Sequence, residues 1–162
     1  MKKMIFIVLV FILSINIFAK TGVEKQVEKI REEFTKINSE KKYIVETGGH
    51  SGNEVIAEYY KKNGELKKVV VYADATLENY AIQYYFKDDE VFFIYESKNE
   101  YKMKDNGTFD KKSLKKTEKR YYFDDDGTLI RYIENGKTYD GKKIPKKYKE
   151  AAESIPRDAS EL

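Results

Sequence analysis

The sequence predicts an α+β fold: an N-terminal amphipathic helix packed on a twisted antiparallel β-meander of about seven strands, followed by a short C-terminal helix. Two observations carry this. A motif recurs three times, in A-E-Y-Y-K-K-N-G-E-L-K-K-V-V-V-Y around Tyr59, I-Q-Y-Y-F-K-D-D-E-V-F-F-I-Y-E around Tyr84 and K-R-Y-Y-F-D-D-D-G-T-L-I-R-Y-I-E around Tyr121. Each copy is an aromatic and β-branched run, a tight turn and a second such run, the pattern of a β-hairpin. Ahead of these copies, Val23, Val27, Ile30, Phe34 and Ile37 recur at three- and four-residue spacing among Lys and Glu. That period gives a helix with one apolar stripe.

The chain opens on Lys2 and Lys3, an apolar run from Met4 to Phe18 broken only by Ser14 and Asn16, and Ile17-Phe18-Ala19. This order is that of a signal peptide cleaved near Ala19. The run is shorter than the ~20 apolar residues of a membrane span, so no stable membrane insertion is expected after cleavage. A periplasmic or secreted protein follows. Cleavage leaves residues 20–154 as one domain and 155–162 as a flexible tail. The chain has no cysteine, which excludes disulfides, thiolate-bound metal and a lipidated cysteine. Basic and acidic residues number 31 and 28, for a net charge of +3 that falls to +1 without Lys2 and Lys3. So even a balance predicts no overall field toward nucleic acid or an anionic membrane.

Thr21 is placed to cap the first helix, which runs from Val23 to about Ser39. A strand follows at Tyr43–Thr47, then the turn Gly48-Gly49-His50-Ser51-Gly52. The hairpins span 54–62 with 65–72, 78–87 with 90–97, and 115–124 with 128–134. Their turns are Asn63-Gly64, Asp88-Asp89 and Asp125-Asp126-Gly127, residues that tolerate positive φ. A short extra strand is expected near Tyr101–Lys104. After Asn135-Gly136 an irregular segment leads to a helix from Pro145 to about Ser154, which Ile155-Pro156 ends.

Strict alternation then sorts side chains onto two faces. One carries Ala57, Tyr59, Val70, Ile82, Tyr84, Phe86, Val91, Phe93, Tyr95, Tyr121, Phe123, Leu129 and Ile133, and reads as the core. The second carries Tyr60, Val69, Val71, Tyr85, Phe92, Ile94, Tyr122, Ile130 and Tyr132, diluted by Glu58, Gln83, Arg120 and Glu96. Seven strands make a sheet roughly 34 Å wide, whereas one helix is only about 10 Å across. Two helices cannot cover both faces, so the sheet either curls or leaves an aromatic patch open.

No constellation points to a reaction. His50 is the sole histidine and sits in a glycine-rich turn, and no serine lies in a nucleophile-elbow or phosphate-loop context. Asp124-Asp125-Asp126-Gly127 invites a calcium loop, but Tyr122 and Ile133 occupy that loop's first and last ligand positions. No cofactor and no metal site are expected. Lys111-Lys112 and Lys115-Lys116 read as a solvated basic loop.

The phrases E-Y-Y-K-K-N-G-E-L-K-K (58–68), Y-Y-F-D-D-D-G-T-L-I-R-Y (121–132) and E-N-G-K-T-Y-D-G-K from Glu134 resemble the variant MORN repeats of bacterial proteins, and the whole chain resembles small exported bacterial proteins with a Tyr-rich meander. The resemblance implies stacked N-G-turn hairpins and a role as an interaction module. It carries over no functional residue. The doublets Tyr59-Tyr60, Tyr84-Tyr85 and Tyr121-Tyr122 lie 25 and then 37 residues apart, so the period is not regular.

The functional expectation is an exported, non-enzymatic domain that binds a protein or an envelope glycan through the second face, with Tyr60, Tyr85, Tyr122 and Tyr132 as contact residues. Tyrosine supplies contact area at low entropy loss together with a hydroxyl. The alternative is a periplasmic carrier that shelters a small apolar ligand or lipid in a half-barrel.

Overall fold

A computed structural model describes residues 22–49, 55–75 and 78–155. The expected leader, the Thr21 cap, the His50 turn and residues 156–162 of the tail lie outside them. The elements are α1 (Gly22–Ser39), β1 (Ile44–Gly49), β2 (Val55–Lys62), β3 (Glu65–Ala75), β4 (Glu78–Lys87), β5 (Glu90–Met103), β6 (Phe109–Phe123), β7 (Leu129–Glu134), β8 (Lys137–Asp140), a 3₁₀ turn (Gly141–Lys143) and α2 (Lys146–Glu153). The strands form one antiparallel sheet in sequence order, β1 to β8. The architecture is the expected α+β meander, with eight strands where the sequence suggested seven. The additional strand is β8: Asn135 and Gly136, at φ 47° and 84°, turn the chain back, and Glu134 pairs with Lys137. The extra strand expected near Tyr101 is instead a continuation of β5, which runs to Met103 and pairs there with Phe109.

A single device shapes all three repeated hairpins. Lys61 faces Leu66 but Tyr60 faces Lys68; Phe86 faces Val91 but Tyr85 faces Phe93; Phe123 faces Leu129 but Tyr122 faces Arg131. Lys67, Phe92 and Ile130 are therefore extra residues, a β-bulge just after each turn. A bulge sets two residues against one and strengthens the local twist. It also slips the register by one, which exchanges the faces of every residue beyond it. Nine face assignments are corrected on this ground. Val69, Val71, Ile94, Glu96 and Tyr132 share a face with Tyr59, Tyr84 and Tyr121, whereas Val70, Phe93, Tyr95 and Ile133 lie with Tyr60, Tyr85 and Tyr122.

Across the first face the cross-strand row Tyr59–Val69–Tyr84–Ile94–Tyr121–Tyr132–Tyr139 forms the spine of one core. α2 closes its end: Tyr148 stacks on Tyr132 with centroids 4.2 Å apart, and Ala152 is buried. On the second face the row Val45–Tyr60–Lys68–Tyr85–Phe93–Tyr122–Arg131–Asp140 crosses all eight strands. The stripe of α1 lies along its middle, with Val27, Ile30 and Ile37 buried and Phe34 packed against the same cluster. Burial of four such side chains contributes on the order of 8 kcal/mol before ordering entropy is charged against it.

Electrostatics fix the end of α1. Arg131, 6% exposed, donates from Nε and Nη2 to both carboxylate oxygens of Asp140 (2.6 and 2.9 Å) and from Nη2 to Glu24 of α1 (2.7 Å). The bulge at Ile130 makes this clamp possible, because it puts Ile130 and Arg131 on the helix side together. The guanidinium in turn stabilises both carboxylates, holding the pKa values of Glu24 and Asp140 below their ordinary values.

Candidate functional site: a groove beside the first helix

The four tyrosines expected on an open face do not share one. Tyr132 is 1% exposed and belongs to the first-face core, because the Ile130 bulge turns it over. Tyr85 and Tyr122 do lie on the second face, but at 1% and 4% exposure they are closed under α1. Phe34 seals them: its ring centroid is 4.9 Å from Tyr85 and 5.2 Å from Phe93, which in turn is 4.9 Å from Tyr122. One helix about 10 Å across covers only the central row, and that row is where Tyr85 and Tyr122 lie. Tyr60 alone remains half-open, donating its hydroxyl to Glu58 at 2.7 Å. That bond to an anion, with partial burial, pushes the Tyr60 hydroxyl up to about 12.

Covering one row leaves the next uncovered. Parallel to Tyr85–Phe93–Tyr122 runs Gln83–Tyr95–Arg120, one residue from each of β4, β5 and β6. Together these two rows floor a groove of about 390 Å³, walled on one side by Ile30, Arg31, Phe34 and Asn38 of α1. That volume lies in the range of small-ligand sites, ~300–1,000 Å³.

Polar groups edge an aromatic floor. The Tyr85 hydroxyl donates to Gln83 Oε1 at 2.7 Å, with Asn38 Oδ1 at 3.2 Å, and burial raises that hydroxyl to about 12. Lys68 Nζ reaches Asn38 Oδ1 at 3.3 Å and lies 5.3 and 5.4 Å from the Tyr60 and Tyr85 ring centroids. Its half-buried ammonium is accordingly lowered in pKa by desolvation. The Arg120 guanidinium sits 5.7 Å from the Tyr95 ring centre, a cation–π platform, and pairs with Glu118 at 3.2 Å. Arg31 faces Glu24 at 3.8 Å. A guanidinium has five donors, more than one such partner can use, so both arginines retain capacity for a ligand's oxygens.

Sequence reasoning placed Tyr85 and Tyr122 on the right face but missed Tyr95 and Phe93. Their signal was present as the run V-F-F-I-Y, which is apolar in either register. The Asp124 turn behaves as a turn: Asp124 Oδ1 accepts the amides of Asp126 and Thr128 at 3.2 and 2.8 Å, which ties that oxygen to the turn's own backbone. Among the described residues no helix is long and apolar enough to cross a membrane. No protein family, curated protein or solved structure matches this chain.

Proposed function

We propose that the chain is an exported, non-enzymatic binding domain that takes a protein or surface-glycan partner on the second face of its sheet, in the groove beside α1. One observation carries this: a concave site with the Tyr95–Arg120 platform and Gln83 open beside the sealed Tyr85–Phe93–Tyr122 row. An aromatic surface stacks on sugar rings or on a partner's side chain, and the edging guanidiniums and amides orient its oxygens. The hairpin pattern that resembles stacked interaction repeats supports the same class of role. The carrier alternative has less support, because Tyr84, Tyr121 and Tyr132, which would line a lipid chamber, fill the first-face core themselves.

Tyr95→Ser and Arg120→Ala test the proposal, since both side chains are partly open and their loss leaves the sealed row intact. Glycan-array and envelope-extract binding of these variants should fall at least tenfold, while Tyr80→Ser on the opposite face leaves it unchanged. Undiminished binding by folded Tyr95→Ser and Arg120→Ala protein would refute the site.

A further inference from the structure

Residues 101–116 hold six lysines against two aspartates, a net +4, whereas the whole chain carries +3; the remainder is slightly acidic. All of the net positive charge is therefore local, and a whole-chain balance conceals it. The fold sets this segment apart. β4 accompanies β5 only as far as the Glu78–Glu100 pair, and β7 accompanies β6 only from the Lys119–Glu134 pair onward. Beyond those points the two strands pair with each other alone, Lys102 with Asp110 and Met103 with Phe109. At ~3.3 Å per residue the ribbon projects roughly 15 Å past its neighbours.

A bare two-stranded ribbon is marginal in water, and this one is built with dedicated bonds. Between Lys102 and Glu100 the opposite strand carries an irregularity that Ser113 holds closed, its hydroxyl accepting the Lys102 amide at 2.7 Å and donating to the Asp110 carbonyl at 2.7 Å. Asn106 Oδ1 accepts the Thr108 amide at the tip. Lys102, Lys104, Lys112 and Lys116 are exposed, and so are two large apolar side chains, Met103 at 52% and Leu114 at 37%. Lysines interleaved with exposed Met and Leu match a surface that is anionic outside and apolar just beneath.

We propose that this arm docks the domain on an anionic lipid bilayer, its lysines among the headgroup phosphates and Met103 and Leu114 at the acyl boundary. The contact is peripheral and involves no membrane-spanning element. Lys102, Lys104 and Lys112, exposed beyond the Glu100–Lys115 pair, lie within about two Debye lengths and act together, and each near an anionic surface strengthens binding roughly fivefold. The apolar pair is what distinguishes a bilayer from a dissolved polyanion, which has no apolar layer to receive it. The inference is independent of the groove.

Vesicle sedimentation of the full chain tests it, with every variant carrying the same N terminus so that any contribution of the Met4–Phe18 run cancels. The wild type should prefer mixed phosphatidylglycerol–phosphatidylcholine vesicles over phosphatidylcholine alone, and high salt should remove that preference. Lys102→Gln/Lys104→Gln/Lys112→Gln should weaken anionic binding on the order of 100-fold, at fivefold per lysine. Met103→Ser/Leu114→Ser should weaken it about tenfold at unchanged charge. Circular dichroism checks that each variant keeps its sheet. No preference for anionic vesicles, or equal binding by the lysine variant, overturns the proposal. Heparin binding as tight as vesicle binding, with Met103→Ser/Leu114→Ser unaffected, also overturns it and identifies a simple polyanion site.

Discussion

Replacing Arg131 with Met should release the end of α1 and lower stability by about 2–3 kcal/mol. The magnitude follows from the clamp. Three charge-assisted bonds, at 2.6, 2.9 and 2.7 Å, would be lost from a side chain that is 8% exposed. Bonds to charged groups contribute roughly 1.5–3 kcal/mol when their partners are buried. Here Asp140 and Glu24 are 41% and 37% exposed, so water rehydrates them and each contribution is discounted. About 1.5 kcal/mol for the two-point Asp140 contact and about 1 for Glu24 remain. The assay is urea unfolding followed by tyrosine fluorescence, the chain having 14 tyrosines and no tryptophan. The midpoint should fall with an unchanged slope, and Tm should drop by roughly 8 °C. The pH dependence gives a second readout. Both carboxyls are lowered in the folded state from ordinary values of 4.5 and 3.8, so the clamp's contribution is complete above those values and is lost as pH falls below them. Arg131→Met should lack that part of the acid loss. A variant within about 0.5 kcal/mol of wild type at neutral pH would show that the clamp does not hold α1, and full recovery in Arg131→Lys would show that two-point geometry is unused.

Two further outcomes follow from the bulges and the buried rings. Deleting Lys67 should abolish the native fold, because it would exchange the faces of Val69 and Val71 with that of Val70, whereas Lys67→Ala should stay within ~0.5 kcal/mol; proteolysis and circular dichroism separate the two. Burial raises the hydroxyls of Tyr84, Tyr85, Tyr121 and Tyr132 above the ordinary 10.0. Stability they contribute is present below pH 10 and is lost as pH rises through their raised values, so tyrosinate absorbance from these four should appear only above pH 10 and together with unfolding. A single smooth titration near the ordinary value, with the fold intact, would contradict their burial.

Elements were legible where local chemistry marks them. The helix stripe predicted Val23 to about Ser39, and α1 is Gly22–Ser39. The hairpin turns fall where Asn63-Gly64, Asp88-Asp89 and the Asp125 turn placed them, with Asn63, Asp88 and Asp89 at positive φ. Register was not legible beyond those turns. V-V-V, V-F-F-I and L-I-R-Y-I are apolar at both parities, so slipping by one residue still buries apolar side chains, and the pattern cannot report a bulge. β8 was missed because K-T-Y-D does not alternate, although Asn135-Gly136 ahead of it is itself a hairpin signal. The groove depended on both failures. Tyr95 and Arg120 come together beside α1 only after the Phe92 bulge, and α1 settles over one row rather than the other through Arg131, whose side is set by the Ile130 bulge.

The groove is the central claim, and site-specific photocrosslinking addresses it most directly. A photoreactive residue would replace Tyr95 in one protein and Tyr80, on the opposite face, in another, and both would be irradiated in envelope extract. A discrete adduct from position 95 and none from position 80 is the expected result. Adducts from position 80 alone, or the same adducts from both, would contradict it.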